Sequence, residues 1–153
     1  MYCFGTVDHG ANGVSREFPG TEASVSEALA DLRHLLIERG YCEEVCANAL
    51  IVLGEVLNNI VEHALPEIPD AVISLNVMEA GRRLMLETCD SGRPLPPNLM
   101  QAPNQPVISD RIDDMAEGGF GWFIIHSLVE DMVYEREDGQ NRLSFSVMSD
   151  ATV

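Results

Sequence analysis

The chain of 153 residues contains no lysine. Its nine basic residues are all arginines (Arg16, Arg33, Arg39, Arg82, Arg83, Arg93, Arg111, Arg136 and Arg142), and they face 25 acidic residues for a formal net charge of −16. The missing amine excludes several chemistries at once. A phosphate loop of the G-K-[ST] type, a protein kinase of the eukaryotic type with its strand lysine, and a Schiff-base enzyme all require it. The scarcity of positive charge argues against duplex nucleic acid, whose binding depends on cations displacing counterions. It argues equally against an anionic membrane surface.

Long apolar runs are also lacking. The longest, around residues 49–57, is interrupted by Gly54 and Glu55, so no membrane span is expected. Residues 1–15 have neither a basic start nor an apolar stretch, which is unlike a signal peptide. Cys3, Cys42, Cys46 and Cys89 form no C-x-x-C pair. Cys42 and Cys46 stand one helical turn apart, but no second ligand pair at zinc-site spacing follows, so they read as reduced cytoplasmic thiols. What remains is a single compact domain long enough to bury a core.

The pattern changes halfway along the chain. Residues 1–14 hold three glycines and little periodicity and read as a flexible lead-in. Ser15 to Phe18 suits a short edge strand ended by Pro19-Gly20, and Ser24-Val-Ser-Glu27 has the form of a capping box. From there Val25, Ala28, Leu29, Leu32, Leu35 and Leu36 keep the helical period up to Gly40. A second helix is expected from about Glu43 to Leu65, with Val45, Ala49, Val52, Leu53, Val56 and Ile60 as its apolar stripe.

Beyond Pro66 the period becomes two, as in half-buried strands. Ile73, Leu75 and Val77 alternate with polar neighbours, and Leu84, Leu86 and Thr88 do so after a turn at Gly81. Residues 91–117 are proline-rich and aperiodic, and long loops of this kind are usually functional. A helix is expected over Gly119 to Glu130. Strands near Met132–Glu137 and Arg142–Met148 then flank Asp138-Gly139, a hairpin signal. The expected fold class is α+β: a two-layer sandwich with helices on one face of a mixed, mostly antiparallel sheet.

At ~100° per residue, Glu55 and Asn59 fall at one edge of the second helix's apolar stripe, and His63 lies closer to the stripe itself. Glu and Asn are common where core meets solvent. A line of carboxylate, carboxamide and imidazole can equally wall a pocket, with oxygen ligands suited to Mg2+ and to activation of a hydroxyl. Two further motifs join it. Asp90-Ser-Gly92 follows a strand, where a carboxylate can accept from the exocyclic amine of a base. Gly118-Gly119-Phe-Gly121 precedes a helix, where exposed N–H groups make a phosphate site without lysine. Singly, the first is a common turn and the second can be a helix cap; their order and spacing as a set are more specific.

With these residues the chain resembles the GHKL ATPase superfamily (the Bergerat fold), and within it the bacterial anti-sigma-factor serine-protein kinases. Glu55-Val-Leu-Asn-Asn59-Ile-Val-Glu-His63-Ala64 is similar to that branch's N-box, E-x-x-x-N-x-x-x-H-[AG]. Asp90-Ser-Gly92-Arg-Pro is similar to its D-x-G box, and Gly118-Gly119-Phe-Gly121 to its G-x-G box. The resemblance covers roughly residues 15–148, leaving 149–153 as a tail.

The resemblance implies ATP and Mg2+ as cofactors. It implies Glu55 as general base toward a partner's serine or threonine, Asn59 as the Mg2+ ligand, and Asp90 as the holder of the adenine amine. Gly92 would allow close approach, Gly118, Gly119 and Gly121 would line the phosphates, and residues 94–117 would form the ATP lid. His63 is either a ligand contact or a packed histidine. Arg111, with Arg93, would be the cations near the phosphates. Where several relatives carry Thr near the adenine, this chain reads Gly139-Gln-Asn141-Arg142-Leu143, and Asn141 receives no role at the base.

The implied function is phosphorylation of a STAS-domain antagonist in a partner switch that controls a target such as a sigma factor. Members of the branch commonly pair as homodimers. A non-catalytic, nucleotide-gated binding module and a stand-alone histidine-kinase-like ATPase domain are the alternatives. An N-box glutamate also activates water in relatives that are not protein kinases.

Overall fold

A computed structural model of the chain describes residues 13–96 and 128–148. The elements run β1 (Gly13–Pro19), α1 (Glu22–Glu38), α2 (Glu43–Asn59), β2 (Val72–Ala80), β3 (Arg83–Asp90), β4 (Glu130–Glu137) and β5 (Gln140–Met148). Ile60–Ala64 prolongs α2 as a wide π turn. The strands form one sheet in the order β1-β2-β3-β5-β4.

The inward faces carry the alternation expected from the sequence. Val14 and Phe18, Ile73, Leu75 and Val77, Leu84 and Leu86, and Leu143, Phe145 and Val147 are all buried. They meet the apolar stripes of α1 and α2 in one core, and α2 contributes its whole expected stripe from Val45 to Ile60. Met78, Met85 and Met148 on the opposite sheet face remain exposed. This is the two-layer α+β arrangement.

The 22-residue stretch Glu43–Ala64 contains an 18-residue window of mean hydropathy 1.4, enough by length and composition for a membrane span, and half of that window is buried inside the fold. Buried Arg16, on the inner face of β1, pairs with Asp31 on α1 and lies 5.8 Å over the Phe18 ring. Its charge is thereby kept in a polar contact at the helix–strand seam.

Several boundaries differ from expectation, each for a local reason. The sheet is antiparallel in every pairing among the described residues rather than mixed. Two helices separate β1 from β2, so the chain reverses an odd number of times before pairing. β1 begins at Gly13, inside the expected lead-in. The cap of α1 is Thr21, whose Oγ1 accepts from the Ser24 amide at 3.1 Å, and the expected capping box at Ser24 and Glu27 lies within the helix. The turn at Pro19-Gly20 is tight enough to start the helix at once, with Gly20 N–H donating to the Ala71 carbonyl at 2.9 Å.

The end of α2 also departs from expectation, since the α-helical ladder stops at Asn59. The Leu65 amide bonds back to the Ile60 carbonyl at 3.1 Å, a five-residue step. At the far side, Glu130 opens β4 instead of closing a helix; Arg83 of β3 reaches its carboxylate at 3.3 Å. Leu128 is helical, while residues 119–127 of the expected helix, the tail 149–153 and most of the lead-in lie outside the described residues.

Candidate nucleotide site

The site begins with the sheet register. Phe18, Ile73, Asp90, Asn141 and Arg136 are successive cross-strand partners from β1 to β4. One row of the inner face therefore starts apolar and becomes polar at β3. The next row in runs Arg16, Leu75, Thr88, Leu143 and Tyr134. Thr88 is buried and donates to the Leu143 carbonyl at 3.5 Å.

Asp90 is 4% exposed. Its Oδ1 accepts from the Gly92 amide and from Asn141 Nδ2, both at 2.9 Å. Both contacts fall on the same oxygen; Oδ2 accepts no hydrogen bond among the described residues. Burial pushes the carboxyl above the usual aspartate range, while Asn141, the Gly92 N–H and the Arg136 guanidinium pull it back. The result is a fixed carboxylate with one oxygen tied and one available.

Gly92 owes its identity to the backbone behind it. A Cβ there would lie 2.3 Å from the Ala64 carbonyl oxygen. The next residue completes the contact, the Arg93 amide donating to that same oxygen at 2.7 Å. The close approach expected at Gly92 is thus made to the end of the π turn. The Asp90–Arg93 loop is thereby docked against the helix that carries Glu55 and Asn59.

On α2, Asn59 is buried and its Nδ2 donates to the Glu55 carbonyl one turn earlier, at 2.7 Å. A carbonyl only accepts, so the amide orientation is forced and Oδ1 is turned away as an oxygen donor for a ligand. Glu55 is half-buried beside it. His63 follows within the π turn: its imidazole is 32% exposed, and Nε2 stands 4.0 Å from Glu62. Arg93 is exposed and paired with Glu67 at 2.9 Å. Arg111, Gly118, Gly119, Gly121 and residues 97–117 of the expected lid lie outside the described residues.

The reading of the sequence missed Asn141. It is 1% exposed, and it joins Asp90 and Arg93 to Tyr134 and Arg136 on β4. A usable signal was present. The two-residue turn at Asp138-Gly139, with both residues at positive φ (53° and 75°), fixes the hairpin register and pairs Arg136 with Asn141.

The donors present fit an adenine nucleotide with Mg2+. Asp90 Oδ2 suits an exocyclic amine, and Asn59 Oδ1 is the hard oxygen that Mg2+ prefers.

Comparison with known proteins bears on the family and the fold. The protein "Serine/threonine-protein kinase BtrW" of Bordetella bronchiseptica is 28% identical over 130 residues, covering 85% of this chain and 89% of that protein. The structure of the RsbU and RsbW domains of Rv1364c from Mycobacterium tuberculosis superposes with a TM-score of 0.60 at 15% identity. That match takes in 90% of this chain but 32% of the other, so the chain spans about a third of its length. The family model described as "Histidine kinase-like ATPase domain" matches residues 18–147. With the sheet, the paired helices and the Asp90 loop in place, the chain belongs to the GHKL family of histidine kinase-like ATPase domains.

Proposed function

We propose that the protein is a cytoplasmic, ATP-dependent serine/threonine-protein kinase of the anti-sigma-factor type, acting on a STAS-domain antagonist in a partner switch. The observation that carries this reading is the pairing of Glu55 with Asn59 on α2, the Asn59 amide nitrogen being tied to the Glu55 carbonyl at 2.7 Å. Asn59 Oδ1 would hold Mg2+, and Asp90 Oδ2 would accept from the adenine amine. MgATP supplies the phosphoryl group when bound. Glu55 is the carboxylate one turn from the metal ligand that would take the proton from a partner's serine or threonine hydroxyl. Support also comes from the kinase named as a relative, which matches along most of its own length.

Mixing the protein with Mg-ATP and a STAS-domain protein of the same organism tests this directly. Transfer of phosphate to a serine or threonine of that protein is expected, and Glu55→Gln should abolish transfer while ATP binding persists. No transfer, with wild type and Glu55→Gln indistinguishable, would sink the kinase reading.

One observation favours a second reading, a nucleotide-gated binding module without turnover. Arg93, one of the two cations expected near the phosphates, is engaged by Glu67 instead. In that case calorimetry would show ATP binding that Asn59→Ala weakens, with no phosphate transfer.

A further inference from the structure

Every hydrogen-bonding position of the Asn141 carboxamide is used inside the protein. Nδ2 donates to Asp90 Oδ1 at 2.9 Å and to the Arg93 carbonyl at 2.7 Å. Oδ1 accepts from the Tyr134 hydroxyl at 2.5 Å and from Arg136 Nη1 at 2.8 Å. The carbonyl of Arg93 can only accept and the guanidinium of Arg136 can only donate, so the amide cannot be flipped. The support continues outward. The Tyr134 hydroxyl accepts from the Leu95 amide at 3.1 Å, and Arg136 Nη1 also reaches the Gly92 carbonyl at 2.9 Å. The β4–β5 hairpin thus grips the loop after Asp90 at three backbone groups, and Asn141 has nothing left to offer a base.

We propose that Asn141, braced by Tyr134 and Arg136, is a positioning residue that makes this site select a purine 6-amino group over a 6-oxo group. The inference rests on Asp90 being the acceptor for the base. With Asn141 Nδ2 and the Gly92 N–H both donating to Oδ1, no proton can sit there, and the ligand meets Oδ2 alone. An unprotonated Oδ2 accepts from a 6-amino group and repels the lone pairs of a 6-oxo group. A proton on Oδ2 reverses the preference.

The balance between these forms depends on the neighbours of Asp90. Among the described residues, Arg136 on β4 is the charged group acting on it. Ile73, its register partner on β2, Thr88 on β3 and Ala64, against which Gly92 packs, carry no charge. Burial favours the protonated form, and the Asn141 amide and the Gly92 N–H oppose it alongside Arg136. Loss of the Asn141 donor leaves burial less opposed.

The test is calorimetric titration of the full chain with ATP and with inosine triphosphate, which carries 6-oxo in place of 6-amino, in Mg2+ across pH 5.5 to 8.5. The wild-type protein should prefer ATP by on the order of 100-fold at neutral pH, as expected where a buried polar group loses its partner. Asn141→Leu should cut that ratio by at least about tenfold and move the midpoint of ATP binding to higher pH. Asn141→Thr, which keeps a hydroxyl donor, should recover most of the ratio. A folded Asn141→Leu protein with the wild-type ratio and pH midpoint would overturn the proposal.

If Asn141→Leu does not fold, Tyr134→Phe removes only the bracing hydroxyl and should shift both readouts the same way by a smaller factor; no shift there overturns it equally. Asp90→Asn separates the two layers of the argument. Undiminished ATP binding by Asp90→Asn would defeat the base-site reading itself. Loss of ATP binding in that variant, with the Asn141 and Tyr134 variants unchanged, would defeat only this inference.

Discussion

Asp90 is held in a form that folding alone would not choose. Its folded-state pKa is raised by burial, so the native state binds its proton more tightly than the unfolded chain does. The sign follows from linkage: stability falls as pH rises from the ordinary aspartate value of about 4 toward the raised value, and the penalty is fully present above it. Asp90→Asn removes the penalty while keeping an oxygen to accept from Gly92 and Asn141. Thermal melts should therefore show the variant more stable than wild type at pH 7 to 8, with the difference shrinking as pH is lowered toward 4. The same substitution puts a donor where the ligand needs an acceptor. Loss of a charge-assisted hydrogen bond worth roughly 1.5–3 kcal/mol corresponds to about 10- to 100-fold weaker ATP binding. Greater stability with poorer binding is the pattern expected of a residue kept for function, and equal melting curves at neutral pH would refute this account.

Elements reach the site by docking against one another, and the decisive contact is that of the Asp90 loop with the end of α2. Gly92→Ala would bring a Cβ to 2.3 Å from the Ala64 oxygen and 2.7 Å from its carbonyl carbon, both backbone atoms that cannot swing aside. A backbone shift there should cost about 1–3 kcal/mol and also weaken ATP binding, because Asp90 is two residues away. Thr21→Ala is the informative contrast. It removes the side-chain cap of α1, for about 1 kcal/mol, and the bond lost is one to the Ser24 amide rather than to any nucleotide residue. Melting and calorimetry together should show both variants destabilised and only Gly92→Ala impaired in binding.

The same elements mark what a sequence can disclose. The apolar periods of α2 and β5, the Asp138-Gly139 turn and the Glu55–Asn59 spacing were legible because each is a local repeat. The π turn was not legible, because Ile60 to Ala64 has an ordinary helical composition and the wider step becomes visible only where Gly92 packs onto Ala64. Asn141 lay between these cases. Its chemical type at the end of a strand said little, and its role appears only when the register sets it beside both Asp90 and Arg136.

At the scale of the whole molecule, a net charge of −16 works against any phosphate ligand. The chain has no lysine to offset it, and among the described residues Arg93 and Arg136, at the Asp90 loop, are already engaged with Glu67 and with Asn141 and the Gly92 carbonyl. Long-range repulsion is screened by salt, over about 30 Å at 0.01 M and about 10 Å at 0.1 M ionic strength. A site that relied on free lysines would lose phosphate affinity along that series. This one should hold or gain affinity for MgATP, since salt removes repulsion rather than attraction. Withdrawal of Mg2+ should act in the opposite sense, because it adds charge to the ligand and removes the partner of Asn59 Oδ1. ATP affinity measured by calorimetry should then fall at least about tenfold in EDTA at fixed ionic strength, and Asn59→Ala should show a smaller fall, since only the added ligand charge still acts on it. ATP bound equally well in EDTA, or affinity that drops steeply with added salt, would mean that phosphate is held by cations rather than by metal and backbone.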